Sequence, residues 1–280
     1  GSYTTNDFNG QIDEVKIYNY ARTSKQIIED MNGGHPAGGS PVGSAVSNWK
    51  FDEGYGTTAN DSYSQNGSET LTLSVNTAWT HSGKFGKAFN GATNVRASLV
   101  DDNDLDFAAA EDLSVSVWFK SDSATNPSAN EYLVQKGPTV AASAIGYALY
   151  TASSGGTICF GIDDDATSFP EDSVCSTADL YDNTWHHIVA KKTGTSRLDL
   201  YVDGKPNGTP DTAISATGTL ANAATFYVGD ANATDGTDEF LGDIDELKIY
   251  RSALTTAEVG IDYNRNASQV LGALGDNTTY

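Results

Sequence analysis

Basic residues and long apolar runs are scarce in this sequence, and each scarcity excludes a class of partner. Its 280 residues include 16 Lys and Arg against 37 Asp and Glu, which gives a formal net charge of −21. Nucleic acids and anionic membrane surfaces carry the same sign of charge and would repel such a chain. The apolar runs also stop well short of the roughly 20 residues that cross a bilayer. We therefore expect no nucleic-acid partner and no membrane insertion.

Cysteine is almost absent, and the two that are present suggest a disulfide. Cys159 and Cys175 flank the polar stretch GIDDDATSFPEDSV, so they would lie opposite each other if this stretch turns a hairpin. A disulfide implies an oxidising compartment, and we expect an extracellular or cell-surface location. The alternative is a pair of small buried apolar side chains. Because no CxxC spacing occurs, a zinc–thiolate site is excluded.

The composition favours short strands joined by polar turns. Glycine, Thr, Asn, Asp and Tyr are plentiful, and hydrophobic residues reach 38% and recur in alternating runs. The segment LDLYVDGKPNG predicts a hairpin with Asp203 and Gly204 at its turn. Many short alternating runs separated by turn residues predict an all-β sandwich or barrel.

One segment occurs twice, at a distance of about one domain. Residues 9–27 read NGQIDEVKIYNYARTSKQI, and residues 241–259 read LGDIDELKIYRSALTTAEV. The two align without a gap. Alternation predicts a strand in the second copy, with Asp245, Leu247 and Ile249 on one face. Thr255 followed by Glu258 predicts a capped helical turn directly after that strand.

The repeat predicts the domain organisation. A complete domain would span residues 46–263, after a Gly/Pro/Ser linker at 32–45 and before a polar tail at 264–280. Residues 1–31 would be the last strand and helical turn of a preceding repeat. The first residue is not Met and no signal peptide precedes it, so we expect a processed or excised piece of a longer chain.

The N-terminal strand is expected to need a partner. An isolated amphipathic strand cannot bury its apolar face, whereas an open sheet edge accepts an added strand. The partner would be an edge of the same chain or a second copy of it. The alternative is that residues 1–31 are an accident of the chain boundary, held only by packing.

Several motifs resemble one protein family. WKFDEGYGTTANDS begins at Trp49, GKFGKAF begins at Gly83, and LSVSVWFKSD contains Trp118. The most specific block is TWHHIVAKKTGTSRLDLYVDGK, with Trp185 and His187 near its start. Together they resemble the bacterial-type branch of the laminin-G-like domains, in the concanavalin A-like lectin/glucanase superfamily.

The resemblance covers about residues 46–263 and implies a fold. It implies a two-sheet antiparallel jelly-roll sandwich, with a short helical turn after the closing strand. Its aromatic motif residues are expected to serve packing. The same fold hosts lectins, enzymes and inert spacers, so the resemblance alone does not identify a ligand.

Calcium is the cofactor that the resemblance implies, because proteins of this branch often hold a structural Ca²⁺ on the sandwich. Calcium takes six to eight oxygen ligands from carboxylates and loop carbonyls. Asp52, Glu53 and Asp61 in the first turn and an inward-pointing Asp245 are the predicted ligands. The alternative is that backbone N–H groups satisfy Asp245 without a metal.

Acidic loops elsewhere suggest a ligand-binding rim. Asp163 and Asp164 lie in one such loop, and Asp230, Asn232 and Asp235 lie in another that loosely resembles a calcium loop. If these loops gather at one edge of the sandwich, they would form a calcium-dependent site for a ligand.

Catalysis is not expected. GDIDE resembles the paired-carboxylate strand of jelly-roll glucanases, but its other copy replaces Asp243 with Gln11. The adjacent His186 and His187 would point to opposite faces of a strand, and neither has a matching nucleophile pattern.

The leading functional hypothesis is a non-catalytic extracellular module for adhesion or structure, from a tandem-repeat surface protein. It would self-assemble through its N-terminal strand, with copies of itself or neighbouring repeats as partners. The alternative is a calcium-dependent carbohydrate-binding module of the lectin type, with glycans or surface proteins as partners.

Overall fold

The computed structural model describes residues 45–62, 69–137, 145–152, 155–165, 169–231 and 238–264. They fall within one compact unit, Ala37–Asn264. The predicted N-terminal strand at 1–31 lies outside the described residues. So do the predicted linker at 32–45, except for Ala45 at the start of β1, and the predicted tail at 264–280, except for Asn264. Their assignments therefore remain predictions.

The fold is a sandwich of two antiparallel sheets, as the sequence predicts. In the first sheet the strands run in the order β14-β13-β12-β7-β16-β5-β4, and β1 also pairs with β16. These strands are β1 (Ala45–Trp49), β4 (Trp79–Thr80), β5 (Ala88–Gly91), β7 (Leu113–Ser121), β12 (His186–Thr193), β13 (Arg197–Val202), β14 (Lys205–Asp211) and β16 (Gly242–Tyr250).

In the second sheet the order is β11-β10-β9-β8-β15-β6-β3-β2. These strands are β2 (Thr58–Ala59), β3 (Leu71–Leu73), β6 (Ala97–Leu99), β8 (Glu131–Lys136), β9 (Gly146–Thr151), β10 (Ile158–Asp163), β11 (Asp172–Cys175) and β15 (Phe226–Val228). A 3₁₀ turn covers Asn103–Leu105, and the helix α1 covers Thr256–Tyr263.

The core lies between the sheets and follows from alternation. In β7, Val115, Val117 and Phe119 face inward and are fully buried, while Ser116 and Trp118 lie on the outer face. Each fully buried large apolar side chain stabilises the fold by about 2 kcal/mol. Alternate residues of the same strand therefore face the core and the outer surface of the sheet.

The closing strand β16 departs from the predicted alternation. Ile244 joins Leu247 and Ile249 in the core, although the sequence pattern places it on the opposite face. A β-bulge between Asp245 and Lys248, with Glu246 at φ 50°, shifts the register by one residue. As a result Asp245 lies opposite Trp118 on the outer face of the sheet rather than in the core.

The helix α1 confirms the predicted capping box. The Thr255 side chain accepts a hydrogen bond from the Glu258 backbone, and the Glu258 carboxylate accepts one from the Thr255 backbone. Val259 and Leu254 then pack on Tyr201 and Tyr250 at the outer face of the first sheet. The helix thus covers that face.

The predicted Asp203–Gly204 hairpin is also confirmed. Asp203 and Gly204 have φ values of 49° and 77°, and they join β13 to β14. Two consecutive positive φ values match the tight turn that suits twisted strands.

In the described part of the chain, no helix is long and apolar enough to cross a membrane.

Candidate functional site

Two of the predicted calcium ligands, Asp245 and Asp52, accept hydrogen bonds from the backbone of the same segment, residues 85–87. Asp245 accepts hydrogen bonds from the backbone of Phe85 at 2.9 Å and of Glu246 at 2.8 Å. Asp52 accepts one from the backbone of Lys87 at 3.0 Å. Burial raises the pKa of Asp245 to about 8. Backbone N–H groups, which were the predicted alternative to a metal, therefore bind the Asp245 carboxylate.

The other two predicted calcium ligands lie elsewhere in the first turn. One oxygen of Glu53 accepts from the backbone and side chain of Asn60, at 2.7 and 3.0 Å. Asp61 accepts from the Asn48 backbone at 2.8 Å. Asp61 also hydrogen-bonds Glu69, and burial, followed by that bond, raises the pKa of Glu69 to about 7.

Two acidic groups in the described residues have the spacing of a metal site. One oxygen from each of Glu69, Asp102 and Asp104 lies within 4.8 Å of the others, and the same holds for Asp163, Asp165 and Glu171. Neither group contains Asp52, Glu53 or Asp245. The calcium site predicted from the first turn therefore remains a prediction, and its ligands belong to neither of the acidic groups found among the described residues.

The outer face of the second sheet carries a cluster of aromatic residues. The Tyr132 and Tyr150 rings stack with centroids 5.6 Å apart, and Phe169 meets Tyr150 edge-on at 6.2 Å. Cys159 and Cys175 pair across β10 and β11 and form a disulfide beside these rings. Aromatic pairs of this kind add about 1 kcal/mol each beyond the area they bury.

A row of outward-facing residues crosses the second sheet next to this cluster. Its members are register partners on neighbouring strands: Thr72, Ser98, Tyr227, Gln135, Ala148, Gly161 and Ser173. Tyr227 is half-buried and Gln135 is buried. The amide oxygen of Gln135 is buried, and no group among the described residues hydrogen-bonds it. We call Gln135, Tyr227, Ala148 and Tyr150 the Gln135 face.

The sequence did not single out the Gln135 face. Gln135 lies in YLVQKG, which fits the family resemblance without marking the amide as unpaired. Tyr227 belongs to FYVGD, which fits the family resemblance without indicating a ligand. Only the pairing of β8 with β15 and β9 brings these side chains together.

The predicted rim residues Asp163 and Asp164 lie at the end of β10. Asp163 is fully buried, and one of its oxygens accepts from the Asp165 backbone at 3.0 Å. Asp164 accepts a short hydrogen bond from the Gly218 backbone. Asp172, across the hairpin, accepts from the Ala216 backbone at 2.7 Å. Asp164 and Asp172 therefore bind the backbone of the 215–218 segment, whereas Asp163 binds the backbone of Asp165.

The other predicted rim residues are placed only in part. Asp230 is buried, accepts from the Ala231 backbone at 2.6 Å and lies 3.6 Å from the Arg96 guanidinium. Asn232 and Asp235 lie outside the described residues. Whether the two acidic loops share one rim therefore stays a prediction.

A buried polar network lies beneath α1 on the first sheet. Asp262 accepts from the Lys248 ammonium at 2.6 Å and from the Ser116 hydroxyl at 2.5 Å, and the His187 ring lies 3.4 Å away. Burial alone would raise the pKa of Asp262, but the Lys248 ammonium and then His187 hold it well below its usual range. These residue types also form hydrolase triads, but here they are buried and connect the helix to the sheet.

The GDIDE carboxylates are buried and contact polar groups of the chain itself. Asp243 accepts from the Asn90 side chain at 2.8 Å and lies 3.2 Å from the Lys120 ammonium. Asp245 is bound by backbone groups, and Glu246 is buried 3.7 Å from the Lys248 ammonium. A glycosidase needs two carboxyl groups on either side of a bound sugar, and this strand does not present that arrangement.

Comparison with protein families and solved structures agrees with this architecture. A family model described as the concanavalin A-like lectin/glucanases superfamily, of the laminin-G type, matches residues 90–260. No curated protein sequence matches significantly.

Several similar solved structures are toxin binding domains. The binding domain of Paraclostridial Mosquitocidal Protein 1 is 16% identical, with a TM-score of 0.58 over 79% of this chain and 52% of that one. The botulinum neurotoxin DC binding domain in complex with SialylT is 12% identical, with a TM-score of 0.52 over 79% and 51%. Its complex with rat synaptotagmin II gives 13% identity and a TM-score of 0.53 over the same shares. The chain spans about half the length of these domains, and the likeness concerns the fold.

Proposed function

This chain belongs to the concanavalin A-like lectin/glucanase superfamily, in its laminin-G-type family. From that premise we propose that it is a non-catalytic extracellular module that binds a glycan at the Gln135 face. The observation that carries the proposal is the unpartnered amide oxygen of Gln135 beside the half-buried ring of Tyr227. Because Gln135 is only 2% exposed, a ligand that supplies the missing hydrogen bond would displace the groups that cover this oxygen.

The energetics of Gln135 support a polar ligand. A buried polar atom without a partner costs about 1–3 kcal/mol. A hydroxyl group would donate to this acceptor and recover that free energy on binding. Because sugars carry many hydroxyl groups on a ring with apolar C–H faces, they fit an acceptor next to an aromatic ring. Ligand sites commonly combine aromatic walls with a few such polar groups.

The similar structures and the charge support the same class of function. Binding domains with this fold have been solved with SialylT and with a synaptotagmin. The net charge of −21 disfavours polyanionic ligands, so neutral glycans are the expected class. The disulfide fits an extracellular location.

The first test is a binding titration with variants, after a glycan array has identified a ligand. We expect Tyr227→Ala and Gln135→Leu each to weaken binding by about tenfold or more, since each removes a contact worth at least about 1.4 kcal/mol. Tyr55→Ala is the matched control, because Tyr55 is a tyrosine with 79% of its surface exposed on a separate loop. Equal affinity of the wild type and both face variants would contradict the proposed site.

Self-assembly is a second candidate, and a specific observation favours it. In the aligned copy, Lys16 and Asp30 stand where Lys248 and Asp262 form the buried ion pair beneath α1. Ile12 and Ile17 likewise stand where Ile244 and Ile249 enter the core. The N-terminal segment thus keeps the residues with which a closing strand and helix attach to a sandwich.

Residues 1–31 would then add to a neighbouring copy of the chain. Light scattering on the full chain is expected to report oligomers, and deletion of residues 1–31 is expected to yield monomers. Lys16→Met would weaken assembly, because Lys16 aligns with Lys248, the cation that pairs with Asp262 beneath α1. Arg22→Met removes one positive charge from the same segment and serves as the control. Oligomers that persist after the deletion would rule this candidate out.

A further inference from the structure

We infer that the position of β16 and α1 in the sandwich is also a docking site for residues 8–31 of a second copy of the chain. We call this position the closing slot, and its native occupant is residues 240–263. The slot lies between β7 on one side and β5 and β1 on the other, because β16 pairs with all three strands. All nine residues of β16 are buried, so an occupant must fit at every position. Docking here rests on the assembly candidate of the proposed function and gives it a contact surface.

The start of the closing slot accepts only glycine. A Cβ atom on Gly242 would lie 2.2 Å from the backbone oxygen of Lys120, a distance that no Cβ atom can reach without moving the backbone. The N-terminal segment has Gly10 at the aligned position. Two residues earlier, Phe8 aligns with Phe240, which is fully buried in the core. The segment therefore meets the steric requirement at the start of the slot.

The bulge of β16 is matched as well. Glu246 has a φ of 50° there, and Asp245 accepts hydrogen bonds from the backbone of both Phe85 and Glu246. The N-terminal segment carries the same pair, Asp13 and Glu14, at the aligned positions. Because the register of a strand decides which side chains face the core, the apolar residues of the segment would point inward as those of β16 do.

A buried ion pair that attaches the helix to the strand is also kept. The Lys248 ammonium lies 2.6 Å from the carboxylate of Asp262, which follows it by 14 residues. Lys16 and Asp30 have the same separation. Asp262 also accepts a hydrogen bond from Ser116 of β7, which belongs to the receiving side of the slot. In the docked pair, Ser116 of one copy would donate to Asp30 of the other.

Two mismatches make the native segment the stronger occupant. Asp243 lies 3.2 Å from the Lys120 ammonium, whereas the aligned Gln11 is uncharged. Leu254 is 1% exposed, whereas the aligned Arg22 would bring a charge into that position. A second copy would therefore compete best for a closing slot whose native segment is weakened.

A graft in the full chain tests the fit of the segment. The sequence of residues 8–31 replaces residues 240–263, and the two ranges are equally long. We expect cooperative unfolding with a melting temperature about 5–15 °C below that of the wild type, because the mismatches cost stability. Grafting residues 9–32 instead is the matched control, since a shift of one residue sends the apolar side chains to the outer face. A graft of residues 8–31 that unfolds no more cooperatively than this control would overturn the inference.

Cross-linking tests docking between copies. Chains with Gln11→Cys and chains with Lys120→Cys are unfolded together in urea and refolded, because a central strand exchanges only when the sheet opens. A short bismaleimide then joins cysteines that lie close together. Since Gln11 aligns with Asp243, which pairs with Lys120 in the sheet, we expect heterodimers. Leu254→Arg in the receiving chain weakens its own closing segment and should raise the heterodimer yield several-fold.

Thr72→Cys in place of Lys120→Cys is the control for this experiment, because Thr72 is exposed on the other sheet. Equal heterodimer yields at the two positions would contradict docking in the closing slot. Oligomers that depend on residues 1–31, together with a graft that does not fold, would overturn the slot but leave the assembly candidate standing. Monomers in light scattering without heterodimers would overturn both.

Discussion

Asp203 connects the hairpin turn to the two adjacent histidines. Its carboxylate lies 3.0 Å from the Nδ1 atom of His186 and accepts from the His187 backbone at 2.9 Å. The hydrogen bond to Asp203 raises the pKa of His186, and Asp182 adds to the effect. The protonated histidine is therefore more favourable in the folded chain than in the unfolded one.

This ion pair predicts a pH-dependent stability. A raised pKa in the folded state gives a stabilisation that is complete below about pH 6.5, the unfolded value. It is lost as the pH rises through the folded pKa. We expect His186→Gln to lower the free energy of unfolding by about 1 kcal/mol at pH 5.5 and by less at pH 8.5. Urea denaturation at the two pH values measures the difference.

His81→Gln is the control for this experiment, because His81 is exposed. It should leave the pH dependence of the wild type unchanged. If His186→Gln and the wild type lose stability in parallel between the two pH values, the Asp203 ion pair does not contribute as described.

At the residue scale, the sequence predicted individual polar side chains of interest better than it predicted which of them lie together in one site. It singled out Asp163 as a rim residue, but Glu171 became its partner only through the β10–β11 hairpin. It proposed Asp245 as a metal ligand and named backbone N–H groups as the alternative, which are the partners that the fold supplies. Gln135 was missed because its significance lies in an absent partner.

At the scale of elements, local chemistry predicted boundaries well. The capping box fixed the start of α1, and Asp203–Gly204 fixed the β13–β14 turn. The bulge in β16 was not predicted, because GDIDELKIY contains no glycine or proline at the bulge to mark it. The contact between Asp245 and the backbone of Phe85 lies next to that bulge. That contact joins residues 160 apart in the sequence, and periodicity within one strand cannot predict it.

The hairpin β10–β11 yields a prediction at this scale. The Cys159–Cys175 disulfide, with a sequence separation of 16, links an edge strand to its neighbour. Closing a loop of this size stabilises a fold by about 3 kcal/mol through the unfolded state. We expect the double variant Cys159→Ser/Cys175→Ser to lose about 2–4 kcal/mol of unfolding free energy, measured by urea denaturation.

Reducing agent provides the comparison for this prediction. It should destabilise the wild type by a similar amount and leave the double variant unaffected. Equal stability of the wild type in reducing and oxidising buffer would show that the disulfide does not stabilise the fold.

At the scale of the whole molecule, the fold class followed from the sequence because it rests on redundant signals. Alternating strands, turn residues and several ordered motifs all indicate the same sandwich, and an error such as the one in β16 does not change it. The domain organisation around the sandwich rests on one repeat, and its N-terminal copy lies outside the described residues. The tandem arrangement and the assembly that it suggests therefore remain proposals.

The function depends on surfaces that form only when distant segments meet. The Gln135 face joins β8, β9 and β15, and the acidic group of Asp163, Asp165 and Glu171 joins β10 to the start of β11. Acidic composition predicted that carboxylates would matter, but not which of them would be left unsatisfied. In this fold, buried groups without partners indicate the candidate sites more directly than sequence motifs do.

The most direct test is a crystal structure of the chain with the glycan that an array identifies. The account predicts sugar density over the Tyr227 ring, with a hydroxyl group about 2.6–3.0 Å from the Gln135 amide oxygen. A sugar bound instead at the Tyr55 loop or on the α1 side of the sandwich, with Gln135 still unpaired, would contradict it.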